Sequence, residues 1–191
     1  MAIKFIYFDL GNVLLDFTHE RGFAQIAAAT GLTSVDVRTA MVDSGLSGRY
    51  ETGQLSTGEF HRVFCKATGA TVTVSELAIA WGDIFEIKPQ TVAVAANLFS
   101  TGHHIGILSN TCAAHWEYVV SRFRPLSLFF NPVITSYQAK VMKPDSEIYQ
   151  IAADAVGLAP HEIFFADDCE DNVEGALKLG WQAVQFTSAL Q

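Results

Sequence analysis

The chain has 191 residues, half of them hydrophobic, 12% aromatic and only 17% charged, which excludes a disordered protein and predicts one folded core with an appendage. Twelve Lys and Arg against twenty Asp and Glu leave a net charge of −8, so the basic footprint of a nucleic-acid binder is missing and nucleic acid is not an expected partner. No apolar run is long enough to span a membrane and the start, Met1 to Phe5, has no room for a signal peptide, so a soluble, cytoplasmic protein is expected.

Ile3 to Phe8 is a β-prone run that stops at Asp9, with Gly11-Asn12 as turn residues, the pattern of a strand delivering a carboxylate to a loop. Residues 16–88 contain no convincing buried strand and read as several helices. Their starts are Thr33-x-x-Asp36, Ser56-x-x-Glu59 and Thr73-x-x-Glu76, and their stops Gly31, Gly45 and Gly69, in the form of capping boxes and left-handed C-caps. A helix over about 90–100 follows Pro89, and the apolar run Ile105 to Leu108 ends in Ser109-Asn110-Thr111. Further on come a helix near 112–123, a strand near 132–135 and a helix near 145–156, for which Pro144 is the expected first residue. Ile163 to Ala166 ends in Asp167-Asp168, followed by a helix near 172–179 and a strand near 181–186.

Strands alternating with helices predict an α/β fold with a parallel sheet, whose ligands bind beyond the carboxyl ends of the strands. Asp9, Ser109 and Asp167/Asp168 should therefore converge. Five acids fall between Asp167 and Glu174, and adjacent buried carboxylates repel unless something neutralises them. A hard divalent cation with oxygen ligands, Mg²⁺ above all, resolves that repulsion. Lys143 can balance the acids and hold a phosphoryl oxygen, while Ser109, Asn110 and the N–H groups around Thr111 offer neutral donors to an anion. Cys65, Cys112 and Cys169 show no metal-ligand spacing and read as free thiols.

With Asp9-Leu10-Gly11-Asn12-Val13, Leu108-Ser109-Asn110-Thr111, Lys143-Pro144 and Asp167-Asp168 with Asn172 in that order, the chain resembles the haloacid dehalogenase superfamily, phosphatase branch. The resemblance covers nearly the whole chain. It implies a Rossmann-like core of residues 1–15 and 89–191 and an inserted helical cap of residues 16–88. It further implies that Asp9 is the nucleophile, forming an aspartyl-phosphate that water hydrolyses. Mg²⁺ would sit on Asp9, the Gly11 carbonyl and Asp168, with Asp167 a ligand or a partner behind one, and Ser109, Asn110 and Lys143 would bind the phosphoryl group of a small phosphorylated metabolite.

One departure matters. Most phosphatases of this family carry a second Asp two residues after the nucleophile as general acid and base, and here that position is Gly11. Three readings follow: a 2-haloacid dehalogenase, which needs no such acid; a non-catalytic binding or regulatory protein; and a working phosphatase of the Asp-x-Gly-Asn subgroup, which includes proteins resembling α-glucose-1-phosphate phosphatases and would favour sugar 1-phosphates. The last is the expected one. Asp16, His19 and Glu20 are candidate replacement proton sources. In the insertion, Gly48 to Gly53 is expected to be a loop offering Arg49, Tyr50 and Glu51 to a sugar-like leaving group. Phe60, Phe64, Trp81 and Phe85 are expected to form the core of the insertion.

Overall fold

The aromatic and β-branched run at Phe5–Phe8 (β1) forms the central strand of a five-stranded parallel sheet in the computed structural model, which describes residues 2–191. Its side chains alternate between two faces, as a strand's must. Phe5 and Tyr7 join one hydrophobic cluster and Ile6 and Phe8 the other.

After β1 the chain makes a short strand, Leu15–Phe17 (β2), and then a helical run: His19–Thr30 (α1), Ser34–Arg38 (α2), a π-helical turn at Thr39–Asp43, Leu46–Glu51 (α3), Thr57–Thr68 (α4) and Val74–Gly82 (α5). All three capping boxes are formed: Thr33 with Asp36, Ser56 with Glu59 and Thr73 with Glu76. Gly31 and Gly69 close α1 and α4 in the left-handed conformation. These helices bury an apolar cluster of their own around Phe23, Met41, Phe60, Phe64 and Trp81, which extends onto Cys112 and Ala114.

Two expectations need correcting here. Residues 16–88 do contain strand: Phe85–Ile87 (β3) pairs antiparallel with β2, Phe17 opposite Phe85. Three-residue strands are too short to show a period in sequence, and their pairing spans the entire helical run. The register also sets Asp16 opposite Glu86, a like-charge pair offset by Lys88 on Asp16 (2.8 Å) and Arg21 on Glu86 (3.3 Å). Phe85, being on this ribbon, belongs to the cluster of the parallel sheet and not to that of the helical run.

The remaining elements are Pro89–Ser100 (α6), His104–Ser109 (β4), Ala113–Arg122 (α7), Arg124–Phe129 (α8), Val133–Thr135 (β5), Ser136–Ala139 (α9), Ser146–Val156 (α10), Ile163–Asp167 (β6), Glu170–Lys178 (α11) and Gln182–Gln185 (β7). The order across the sheet is β5-β4-β1-β6-β7. The sheet therefore grows in one direction through β4 and β5 and in the other through β6 and β7, and it reverses at β1. That reversal opens a crevice at the carboxyl end of β1, where Asp9 lies. Among the described residues no helix is long and apolar enough to cross a membrane.

Candidate active site

The carboxyl end of β1 is bound into the next strand by Asp9 N–H, which donates to the Ala166 carbonyl at 2.9 Å. The chain then turns sharply. Asn12 adopts φ +55°, a left-handed conformation that Asn tolerates better than most residues, and the N–H groups of Leu14 and Leu15 both donate to the Leu10 carbonyl. β6 ends next door in Asp167 and is followed by Asp168. One oxygen from each of Asp9, Asp167 and Asp168 lies within 4.8 Å of the others.

Lys143 is inserted among these acids and is only 4% exposed. Its Nζ pairs with Asp9 Oδ1 at 2.9 Å and donates to Asp167 Oδ2 at 2.6 Å and to the Leu108 carbonyl at 2.9 Å, while Asp9 Oδ1 itself is buried without a hydrogen-bond partner among the described residues. Burial alone would lower its pKa, but the two carboxylates outweigh that and hold the ammonium above the ordinary lysine range. Asp167 is fully buried and accepts further bonds from Cys169 N–H (2.8 Å) and from Asn172 Nδ2 (3.0 and 3.1 Å). Asp168 is half-buried, and its Oδ2 accepts from Asn12 Nδ2 at 2.9 Å.

These contacts sort the acids. Both Asp167 oxygens are occupied by protein donors, whereas Asp168 keeps lone pairs for another partner. Burial pushes the Asp9 carboxyl up to about 6; Lys143 pulls it back and repulsion from Asp167 adds to the rise. Three converging carboxylates and one lysine leave negative charge in a desolvated place, and a hard divalent cation with oxygen ligands fits that donor set.

Ser109, at the end of β4, is buried and lines a cavity of about 170 Å³ together with Gly11 and Asn110. The neutral donors are fewer than expected from sequence. Asn110 Nδ2 donates to the Lys143 carbonyl (2.9 Å) and its Oδ1 accepts from Lys143 N–H (2.8 Å), so this side chain mainly fixes the lysine's backbone and has one Nδ2 hydrogen left. Thr111 N–H is likewise engaged, donating to Ser136 Oγ at 2.9 Å. Pro144 also departs from expectation. Asp145 is the N-cap of α10, its carboxylate accepting from Glu147 N–H, so the helix starts at Ser146 and Pro144 stays outside it.

The far side of the cavity is built by the ribbon, the helical run and the first turn of α7. Phe17 and Phe85 supply aromatic walls, and His19, Glu51 and His115 the polar groups. Phe17 occupies the space beside Gly11: a Cβ on residue 11 would lie 2.7 Å from its ring. The stretch expected to be a loop is helical through Glu51 (α3), and it divides its side chains. Arg49 is exposed, Tyr50 is buried with its hydroxyl on Ala114 N–H (3.0 Å), and Glu51 faces the cavity. Burial pushes the Glu51 carboxyl up to about 7 and lowers the His115 imidazole to about 3, which leaves that ring neutral with Nε2 unpartnered. Asp16 is tied to Lys88 and Glu20 to Thr18, and neither lines the cavity; of the three candidate proton sources only His19 does. Phe17, His115 and Ser136 are not marked by the sequence, and Asn12 is marked there as a turn and motif residue without a role in the site. Only Asn12 carried a local signal, since Gly-Asn marks a turn that aims its amide back at the acids.

Comparison with known proteins bears on the family and the fold. A family model described as haloacid dehalogenase-like hydrolase matches residues 3–180. The chain is 28% identical to D-ribitol-5-phosphate phosphatase of Bacteroides thetaiotaomicron, covering 96% of this chain and 91% of the relative. It is 26% identical to glyceraldehyde 3-phosphate phosphatase of Methanothermobacter thermautotrophicus, covering 98% and 87%. A solved HAD family enzyme from Bacteroides thetaiotaomicron, in complex with magnesium and inorganic phosphate, superposes with a TM-score of 0.85 at 25% identity, covering 97% of this chain and 95% of that one.

Proposed function

The chain belongs to the haloacid dehalogenase-like hydrolase family, and on that premise we propose that it is a Mg²⁺-dependent phosphatase of a small polyhydroxylated phosphomonoester, with residues 16–88 acting as a cap over a core of residues 1–15 and 89–191. The observation that carries this reading is the convergence of Asp9, Asp167 and Asp168 around Lys143 at the strand ends. A metal-independent dehalogenase has no need of such a set, and a mere binding module has no need of a carboxylate held so close to a buried ammonium. Two of the phosphatases among the relatives take small phosphorylated metabolites by name. A cavity of about 170 Å³ suits a leaving group of a few carbons, such as the sugar part of a sugar 1-phosphate or a short polyol.

Mg²⁺, held by Asp9, Asp168 and the Gly11 carbonyl, supplies charge neutralisation to the phosphoryl oxygens when bound. Asp9 attacks phosphorus and the ester bond to the alcohol breaks, giving an aspartyl-phosphate that water then hydrolyses. Lys143 holds Asp9 in place and offers positive charge to the transferring group, while the Ser109 hydroxyl and the remaining Asn110 hydrogen donate to its oxygens. Asp167 and Asn172 position Lys143, and Asn12 orients Asp168. The walls of Phe17 and Phe85 exclude water from the reacting centre.

The test is a panel of phosphorylated polyols and sugars, including sugar 1-phosphates, assayed for phosphate release with and without Mg²⁺ and with Asp9→Asn as control. Mg²⁺-dependent release that Asp9→Asn abolishes is the expected result. Release of halide from a 2-haloacid without metal, or metal binding with no turnover on any member, would defeat the reading.

A further inference from the structure

An alcohol leaves phosphorus far more readily with a proton on its oxygen, and the water that follows needs a base. Two residues after Asp9 no side chain can do either, because Gly11 has none and the Phe17 ring fills the space beside it. We propose that Glu51, delivered by the helical cap, is the general acid and base of the hydrolysis; this rests on the phosphatase reading above.

Four observations place it there. Glu51 is the one carboxylic acid among the described residues lining the cavity that also holds Gly11 and Ser109. Its backbone is fastened to the phosphate side: Ser136 Oγ donates to the Glu51 carbonyl at 2.7 Å and accepts from Thr111 N–H at 2.9 Å, so one hydroxyl bridges α3 and the loop after Ser109. Its neighbours are fastened too, Tyr50 through Ala114 N–H and Gly53 through Lys140 Nζ on its carbonyl (2.6 Å). At Gly53 the approach is so close that a Cβ would collide with the Tyr137 carbonyl. Finally, the Glu51 carboxyl has no hydrogen-bond partner among the described residues, so it is free to meet a substrate oxygen. Desolvation raises it to about 7, where acid and carboxylate are both populated at neutral pH. His19 and His115 share the cavity, and burial disfavours the imidazolium form of both, lowering His115 to about 3.

In the first step the Glu51 carboxylic acid passes its proton to the bridging oxygen. The phosphorus–oxygen bond to the alcohol breaks, an Asp9 oxygen bonds phosphorus, and the alcohol departs neutral. In the second, the Glu51 carboxylate takes a proton from water as the water oxygen bonds phosphorus and the bond to Asp9 breaks. Phosphate leaves, and Asp9 carboxylate and Glu51 acid are restored.

The experiment compares wild type, Glu51→Gln and Glu51→Asp across a series from 4-nitrophenyl phosphate to alkyl phosphates such as ribitol 5-phosphate, with saturating Mg²⁺. Glu51→Gln should lose about 10²–10³-fold in kcat/KM on alkyl phosphates but less than about tenfold on 4-nitrophenyl phosphate. It should release a burst of one nitrophenol per enzyme before slow turnover, and it should lack the basic limb of the wild-type pH profile. Glu51→Asp should recover part of the alkyl activity. The other titratable groups around this position are His19 of α1 and His115 of α7, which share its cavity, and Cys112 just before α7, which interacts with it; none of these is altered in the variants. Equal losses across the series, or an unchanged pH profile, would overturn the assignment while leaving the phosphatase reading intact. Absence of wild-type turnover on every member would defeat the reading itself and the assignment with it.

Discussion

The two walls of the cavity are built on opposite plans. On the strand-end wall the charged groups are paired with one another: Lys143 is paired with Asp9 and bonds Asp167 and Leu108, Asp167 bonds Cys169 and Asn172, and Asp168 bonds Asn12, with Asp9 Oδ1 alone among these acids buried without a hydrogen bond among the described residues. On the wall built by the ribbon and the helical run the Glu51 carboxyl is free of hydrogen bonds among the described residues, and beside it His115 Nε2 of α7 is buried without a partner. A buried polar group without a partner costs stability unless a ligand supplies one. The contrast teaches a division of labour. The sheet assembles the charge cluster in advance, so on the proposed reading little reorganisation is needed during phosphoryl transfer, while the helical run brings an open carboxyl to the same cavity.

The contrast is broken hardest at Asp9. Asp9→Asn should reduce Mg²⁺-dependent phosphate release by roughly 10⁴-fold or more, as loss of a nucleophile does, measured by steady-state phosphate assay. Next comes Lys143→Met, which leaves Asp9 and Asp167 facing each other in a desolvated place. Urea unfolding should show a loss of about 3–5 kcal/mol, part of it recovered by Mg²⁺, because the cation takes over the neutralisation.

On the cap wall the sign reverses. The folded state raises Glu51 from 4.5 to about 7, so between those values it keeps a proton that the unfolded chain releases, and its contribution to stability falls as pH rises through that window. Glu51→Gln should therefore match wild type near pH 4 and exceed it by about 1–3 kcal/mol at pH 8, read from urea titrations at the two pH values. The smallest effect belongs to the helix starts. Ser56→Ala removes one capping box from α4 and should cost about 1 kcal/mol of stability with turnover unchanged.

Much of the strand-end wall was legible in sequence because it is written locally: short apolar runs stop abruptly at Asp9, Ser109 and Asp167-Asp168, and a parallel sheet brings such ends to one edge. The capping boxes of the helical run were legible for the same reason, each being contained within four residues. What was not legible depends on long-range pairing. The β2–β3 ribbon joins residues on either side of five helices, so neither strand carried a pattern of its own, and Phe85 was assigned to the wrong cluster. Gly48 to Gly53 looked like a loop because of its glycines, yet Leu46 and Tyr50 bury one face and make it helical through Glu51. Asn110 and Thr111 do line the cavity, but tertiary partners invisible in sequence, the Lys143 backbone and Ser136, claim one Asn110 amide hydrogen and the Thr111 N–H.

The central claim is that phosphoryl transfer passes through Asp9. Rapid acid quench of the Mg²⁺-loaded enzyme during turnover of 4-nitrophenyl phosphate, followed by mass spectrometry of its peptides, tests this most directly. The account predicts one hydroxylamine-sensitive phosphoryl group on the peptide containing Asp9, and its accumulation in Glu51→Gln as water activation slows. Turnover with no phosphorylated peptide in either protein, or phosphorylation at another residue, would contradict it.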